Sequence, residues 1–322
     1  MSDHDSSKKS ESGHGTTGHS WDGIEEWDNP LPKWWLYIFY ATILWGVLYT
    51  IAYPAWPLVN RATGGLLGYS TRAEVAEEIA AVEARNAELN TELASADLFA
   101  LGDNEALRSY AINMGGAVFR ANCSQCHGSG AQGAKGFPNL QDDAWIWGGR
   151  IDEIAWTVAN GIRNEDAPGA RGYGGVMASY ADILSSEEIA QVANHVMSLS
   201  GIDYDETLAA AGETIFQDNC ASCHGDSGEG SLVATRSYET PEDVYPDGEM
   251  TGAPALNDRI WMFQGADQTV EESITETLLY GRAGVMPAWS EEYRRPGLNQ
   301  AEINAVAAYV HQLGGGQDLA SE

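Results

Sequence analysis

Two short cysteine motifs carry the chemistry that this sequence suggests. Residues 123–127 read CSQCH and residues 220–224 read CASCH, so both have the form C-x-x-C-H, which is the attachment site of a c-type haem. Two thiols on one helical turn can bond the two vinyl groups of a porphyrin, and the next residue then offers a ring nitrogen to the iron. The sequence therefore predicts two covalently bound haem c groups. The predicted attachment residues and proximal ligands are Cys123, Cys126, His127, Cys220, Cys223 and His224.

Two other chemistries use C-x-x-C pairs. A thioredoxin-like redox pair would not need the histidine that follows each motif here. Structural zinc requires four ligands in closed tetrahedral geometry, and the chain has only these four cysteines. Four thiols on one zinc ion would leave both histidines and the repetition of the motif unexplained. These considerations favour haem over zinc.

Methionines at matching places in the chain are the candidate second ligands of each iron. Met177 follows Gly174-Gly175-Val176, and Met286 follows Gly284-Val285 and precedes Pro287. A thioether opposite histidine closes the iron and raises its reduction potential. We therefore expect Met177 and Met286 to be axial ligands, and the sequence leaves open which methionine serves which haem.

Two proline loops follow the cysteine motifs, PNL from Pro138 and PAL from Pro254. A backbone carbonyl there can accept the Nδ1–H of the axial histidine, which fixes the ring orientation and raises the basicity of the ligand. Pro138 and Pro254 are thus predicted to support His127 and His224.

The elements that carry these residues form an internal repeat. Gly115, Phe119 and Cys123 match Gly212, Phe216 and Cys220, and each copy ends in an apolar-patterned helix, at 187–199 and 301–313. The glycines are expected to let the closing helices cross closely. The sequence predicts two helical domains, 105–202 and 203–316, with an inserted surface loop from Ser231 to Thr251.

The N-terminal third is organised differently. Residues 1–30 are polar and are expected to form a tail without fixed structure. Residues 31–57 contain an uncharged run from Trp34 to Tyr53, bracketed by prolines and long enough to cross a bilayer. Residues 58–104 are expected to be a linker with a solvated, Ala/Glu-rich helix that ends near Leu93. The predicted fold is all-α, with one transmembrane helix followed by two tandem haem domains.

Charge restricts the partners. The chain has 17 Lys and Arg against 47 Asp and Glu, a formal net charge of −30. Nucleic acid is excluded as a partner because binding a polyanion requires clustered cations. An acidic surface suits a basic protein, although solubility or a saline habitat explains the same composition.

Three segments carry a family resemblance: residues 21–35 (WDGIEEWDNPLPKWW), residues 51–57 (IAYPAWP) and residues 136–149 (GFPNLQDDAWIWGG). They resemble the dihaem subunit of cbb3-type cytochrome c oxidase, the CcoP/FixP family, and the likeness extends from about residue 20 to 315. The sequence departs from the family at Ala178, where proline is usual, and in the length of the 231–251 loop.

The resemblance implies a subunit that relays electrons from a soluble or membrane cytochrome c donor toward a monohaem subunit and an oxygen-reducing catalytic subunit. It implies no catalytic residue in this chain, and it leaves room for a crossed arrangement of Met177 and Met286. Because haem attaches to C-x-x-C-H outside the cytoplasm, we expect an inner-membrane protein with a cytoplasmic N-terminus and periplasmic haem domains. A free-standing dihaem carrier and a haem-based gas sensor are the alternatives.

Overall fold

The computed structural model describes residues 15–172, 175–230 and 252–317, and this part of the chain is mostly helical. The chain divides after Arg85 into two compact units. The predicted insertion from Ser231 to Thr251 lies outside the described residues. The helices are α1 Lys33–Ala52, α2 Thr71–Ala94, α3 Glu105–Asn122, α4 Ser124–His127, α5 Ile151–Asn160, α6 Ser186–Leu199, α7 Glu206–Asn219, α8 Ala221–His224, α9 Val270–Tyr280 and α10 Gln300–His311, with a 3₁₀ turn at Phe99–Asp103.

A β-hairpin occupies much of the segment that was expected to have no structure, so that expectation was wrong for these residues. Strands β1 Thr16–Trp21 and β2 Ile24–Trp27 pair antiparallel. The turn is Asp22-Gly23, and both residues have positive φ, 50° and 83°. An Asp-Gly dipeptide between alternating residues is a strong hairpin signal, because its left-handed backbone matches the twist of the strands.

Helix α1 is the apolar segment predicted from the uncharged run. It has 20 residues, a mean hydropathy of 1.6 and no buried side chain. At 1.5 Å per residue it is about 30 Å long, the thickness of a bilayer core. Pro32 precedes its first residue, and the chain leaves it in extended backbone at Tyr53 before Pro54. The length and composition of α1 therefore suit a single membrane span.

The last turn of α2 is not solvated as the sequence suggested, although most of the helix is exposed. Leu93 is fully buried in the core of the second unit, and its carbonyl accepts a hydrogen bond of 2.8 Å from Asn304 on α10. The Tyr110 hydroxyl also donates to Asn90 Oδ1 at 2.6 Å. The C-terminal end of the linker helix thus belongs to the packed structure.

Two hydrophobic cores make up the second unit, and each contains helices from both sequence repeats. The first core joins α3 and α5 to α10, the closing helix of the second repeat. The second core joins α7 and α9 to α6, the closing helix of the first repeat. The repeats are therefore interlocked, because each one contributes its closing helix to the other.

Capping residues fix where the closing helices begin. Ser185 starts α6 and Asn299 starts α10, and each side chain accepts a hydrogen bond from the backbone N–H three residues later. The glutamate at that third position, Glu188 or Glu302, bonds back to the backbone of the cap residue. This reciprocal capping box satisfies donors that would otherwise be unpaired at the helix start.

Glycines make the two exchanged crossings possible. A Cβ on Gly115 of α3 would collide with the Ala305 carbonyl of α10, and one on Gly212 of α7 would collide with the Gln191 carbonyl of α6. The close crossing expected from the sequence is present, but its partner is the closing helix of the other repeat. The ring of Phe119 lies 5.5 Å from that of Tyr309, and the ring of Phe216 lies 5.1 Å from that of His195.

We predict that Gly115→Ala destabilises the haem-loaded chain by about 1–3 kcal/mol, because backbone atoms must move to admit the methyl group. Thermal unfolding in mild detergent, followed by circular dichroism, measures the effect. Gly102→Ala is the matched control, since a Cβ there meets nothing within 4 Å. Equal unfolding temperatures for the two variants would show that the close crossing contributes nothing to stability.

Candidate functional site

The first cysteine motif lies on a single helical turn at the end of a long helix. Cys123 follows α3, and its N–H donates to the Phe119 carbonyl at 2.8 Å. Helix α4 ends at His127 and is followed by Gly128, whose φ is 80°. Cys123 is half-buried against the first core, whereas Cys126 is exposed. One thiol is thus partly buried and the other is exposed, and together they could bond the two vinyl groups of a haem.

The ring orientation of His127 is set by the backbone. Its Nδ1 lies 3.0 Å from the Pro138 carbonyl oxygen, the contact expected of this proline. A carbonyl can only accept, so Nδ1 carries the proton and Nε2 keeps its lone pair. Burial lowers the pKa of His127, and the carbonyl bond partly offsets this. The imidazole is therefore neutral at pH 7, with Nε2 available to a metal.

The second motif repeats this geometry. Cys220 is buried, Cys223 is exposed and His224 ends the single turn α8. His224 Nδ1 lies 3.0 Å from the Pro254 carbonyl oxygen, and burial again lowers the pKa of the imidazole. The same arrangement thus arises twice from two sequences, and each motif presents a neutral imidazole whose Nε2 keeps its lone pair.

Each methionine pairs through its backbone with the other repeat. Met286 exchanges two hydrogen bonds with Ile162, of 2.9 and 3.0 Å, and Met177 exchanges two with Arg282, also of 2.9 and 3.0 Å. Gly161 and Gly281, just before these partners, have positive φ and no room for a Cβ beside the methionine carbonyls. The two methionine loops are thereby crossed between the repeats.

The crossing decides which side chains share a core. Met286 packs in the core that contains Phe119 and Cys123, whereas Met177 packs in the core that contains Phe216 and Cys220. The first cysteine motif therefore lies with the methionine of the second repeat, and the second motif with that of the first repeat. Sequence order alone would pair each motif with the methionine that follows it.

The inner cysteines fit a thioether better than a thiolate. Burial raises the pKa of Cys123 and Cys220 to about 11. A zinc ligand or a reactive thiol needs the ionised form at neutral pH, and these surroundings disfavour it. A thioether sulfur carries no charge, so it can be buried at both positions without that penalty.

One buried donor in the second core also fits a bound group. The indole Nε1 of Trp261 is buried and has no hydrogen-bond partner among the described residues. Buried polar groups in proteins nearly always have a partner, and a porphyrin carries carboxylates that accept such a bond. By contrast, the indole N–H of Trp145 in the first repeat donates to the Gly315 carbonyl.

A charged cluster between the two cores had no sequence signal. The Glu276 carboxylate on α9 accepts hydrogen bonds from Gln268, Arg282 and Lys135, of 2.8, 3.1 and 3.2 Å, which lower its pKa to about 2. Lys135 lies in the loop after the first cysteine motif, so this cluster joins the surroundings of the two motifs. These contacts depend on the exchanged packing, which residue types alone do not reveal.

Two C-x-x-C-H motifs with carbonyl-oriented histidines, each with a methionine in the adjoining core, define a c-type cytochrome. Residues 112–200 and 209–314 match the family model described as Cytochrome c. Residues 13–60 match the model described as the N-terminal domain of cytochrome oxidase-cbb3, FixP. This second match covers the hairpin and α1, which other cytochrome c domains do not need.

Whole-chain relatives narrow the family. The chain is 50% identical to the cbb3-type cytochrome c oxidase subunit CcoP of Cereibacter sphaeroides, over 94% of this chain and 95% of the relative. It is 46% identical to the CcoP subunit of Rhodobacter capsulatus, over 94% and 96%. It is 45% identical to the FixP subunit of Bradyrhizobium diazoefficiens, over 98% and 100%. The chain belongs to the CcoP/FixP family of cbb3-type cytochrome c oxidase subunits.

Proposed function

We propose that this chain is the dihaem relay of a cbb3-type terminal oxidase. It would accept electrons from a donor cytochrome c and pass them to a monohaem subunit and then to the catalytic subunit, without reducing oxygen itself. The observation that carries the proposal is the pair of matched motifs, each with a carbonyl-bonded neutral histidine and an inner cysteine that shares a core with one methionine. Such ligand sets close the iron and suit electron transfer.

The crossed packing supports a crossed set of ligands. The haem attached at Cys123 and Cys126 would take His127 and Met286, and the haem attached at Cys220 and Cys223 would take His224 and Met177. Each methionine shares a core with the inner cysteine of its proposed partner motif. This assignment places one ligand of each iron in each repeat.

The proline carbonyls and the apolar cores around each site suit a haem that exchanges one electron. When bound, each haem would supply the one-electron chemistry of iron. The Pro138 and Pro254 carbonyls hold the imidazoles in one tautomer and orientation. Neutral histidine and methionine ligands and the apolar cores would keep water away from a bound haem iron, and axial ligands of this kind would set its potential.

The closed sites also bear on the gas-sensor alternative. A sensor needs one open coordination position at which its gas can bind. Met177 and Met286 are each held by a reciprocal pair of backbone hydrogen bonds, which favours a fixed position for each proposed ligand. This supports a carrier over a sensor at both sites.

The membrane arrangement follows from α1 and from haem chemistry. One apolar helix near the N-terminus suits a single span of the inner membrane, as expected for a family of oxidase subunits. Covalent attachment to C-x-x-C-H takes place outside the cytoplasm. We therefore orient the N-terminus to the cytoplasm and the two haem domains to the periplasm.

Charge around the two exposed cysteines favours one edge for the donor. From residue 172 to 230 the sequence has ten Asp and Glu and no Lys or Arg, and this stretch surrounds Cys223. From residue 106 to 141, around Cys126, it has three Lys and Arg and no acidic residue. Opposite fields accelerate encounter, so a basic donor would dock at the Cys223 edge, and the haem at that edge would receive the electron.

The crossed ligands can be tested with a spectral marker. Cys126→Ala leaves one vinyl group on the first haem, which moves its α band to longer wavelength. In that background, Met286→Leu should lower the potential of the marked haem by roughly 100 mV or more, a fraction of the ~0.8 V that axial ligands span. Met177→Leu should act on the unmarked haem instead, and the reverse pattern would refute the crossing.

Assembly with an oxidase is tested on the tagged full chain, extracted in mild detergent. We expect haem b bands beside the c bands in the reduced-minus-oxidised spectrum, together with oxygen uptake from a reduced donor cytochrome. The variant Cys220→Ser/Cys223→Ser should keep the haem b bands and lose donor-driven uptake. A spectrum with only c-type bands and no uptake would favour a free-standing carrier.

Donor docking is tested by stopped-flow reduction with a basic cytochrome c. Asp218→Asn/Asp226→Asn removes two exposed charges beside Cys223 and should slow the bimolecular step severalfold at low ionic strength, with the difference fading above about 0.1 M salt. Glu291→Gln/Glu292→Gln removes two exposed charges elsewhere and is the matched control. Equal effects of both pairs would contradict docking at this edge.

A further inference from the structure

A single arginine reaches both methionine loops. Arg163 Nε donates to the Gly175 carbonyl at 2.5 Å, and its Nη1 donates to the Gly284 carbonyl at 2.7 Å. Gly175 precedes Met177 by two residues, and Gly284 precedes Met286 by two residues. One rigid planar guanidinium therefore bridges the segments that present the two proposed thioether ligands.

The backbone of Arg163 is held in an unfavourable conformation. Its φ is 51°, in the left-handed region that residues other than glycine, asparagine and aspartate rarely adopt. The Arg163 N–H bonds to the Arg171 carbonyl at 2.7 Å, which fixes this turn. A strained backbone that the surrounding structure maintains is a reason to look for a role of the side chain.

The surroundings of the guanidinium are partly desolvated. It lies 5.8 Å from the ring centre of Trp147, and burial lowers the pKa of Arg163. Hydrogen bonds from a charged donor are stronger than neutral ones and strengthen further where water is excluded. Two such bonds to two different loops restrict the movement of one loop relative to the other.

The bridge has no counterpart in the second repeat. Ile162 and Arg282 occupy matching places, since each pairs with a methionine of the other repeat. The residue that matches Arg163 is therefore Ala283, which cannot reach either loop. The Arg282 guanidinium instead bonds Thr277 and Glu276 and lies 4.5 Å from the Phe263 ring centre. The contacts of Arg163 with both methionine loops thus distinguish the first repeat from the second.

We infer that Arg163 is a positioning residue that clamps both methionine loops, so that the two methionine–iron ligations depend on one side chain. The inference rests on the proposed methionine ligation. It predicts that loss of Arg163 perturbs both haems together, although the residue belongs to one repeat only. A residue that only stabilised its own turn would affect the loop of Met286, which pairs with the neighbouring Ile162, and leave that of Met177 unchanged.

The test uses the full chain with both haems, isolated with its partner subunits. Arg163→Gln should weaken the far-red methionine-to-ferric-iron band of both haems and lower both midpoint potentials. At a fixed potential the ferrous-to-ferric ratio of each haem should fall roughly fivefold or more, at the lower end of coupling between linked sites. Amide hydrogen exchange of Met177 and Met286 should accelerate in parallel, which is a readout independent of the haems.

Two further variants keep the result interpretable. Arg163→Lys retains the charge but lacks the planar fork, so it should restore only part of both bands; full restoration would reduce the role to charge and overturn the clamp. Arg259→Gln is the matched control, because that side chain also donates to two carbonyls, of Ser200 and Gly201, away from both methionine loops. It should leave both bands unchanged.

Changes confined to one haem, or unchanged bands in Arg163→Gln, would refute the clamp. The starting chain separates this outcome from a failure of the proposed ligation. If its ferric form lacked the methionine bands before any substitution, the ligand assignment would be wrong. The exchange rates of the Met177 and Met286 amides would still decide whether Arg163 holds the two loops.

Discussion

The placement of both methionine loops depends on two short backbone pairings, Ile162 with Met286 and Arg282 with Met177. Each pairing needs a left-handed glycine just before it, Gly161 or Gly281, because a side chain there would overlap the methionine carbonyl. Once the loops are crossed in this way, α6 and α10 must enter the core of the opposite repeat. The close glycine crossings and the shared cores follow from that exchange.

Each histidine is held in a single neutral form by two effects that act together. Burial favours the neutral ring, and a proline carbonyl selects the tautomer whose free lone pair lies on Nε2. Neither effect requires a charged neighbour, so the apolar surroundings remain intact. Burial of the inner cysteines likewise disfavours an ionised thiol. Low polarity is therefore the common property of the two sites.

Local chemistry was readable from the sequence. The motifs around His127 and His224, the proline carbonyls, α1 and the two closing helices are all set by neighbouring residues, by periodicity or by length. The hairpin at Asp22-Gly23 is also a local feature. The expectation of an unstructured tail rested on the polar composition of residues 1–30 and overlooked the Asp-Gly turn signal.

The exchange of closing helices between the two repeats could not be predicted from such local patterns. Repeats with matching glycines fit either packing, since Gly115 would accept α6 or α10 by size alone. Arg163 and the buried Leu93 both contact the second repeat, so their roles could not be predicted before the exchange of helices was known. Helix periodicity indicates which face is buried, but it does not name the helix that covers that face.

The interlocked helices have a consequence for biogenesis. The core beside the first cysteine motif is completed by α10, the last of the described helices in chain order. Until α10 packs there, Phe119 and the apolar face of α3 lack the helix that covers them, so the core beside the first motif is incomplete. The core beside the first motif can therefore close only after the second repeat has been synthesised, which makes the folding of the two repeats interdependent.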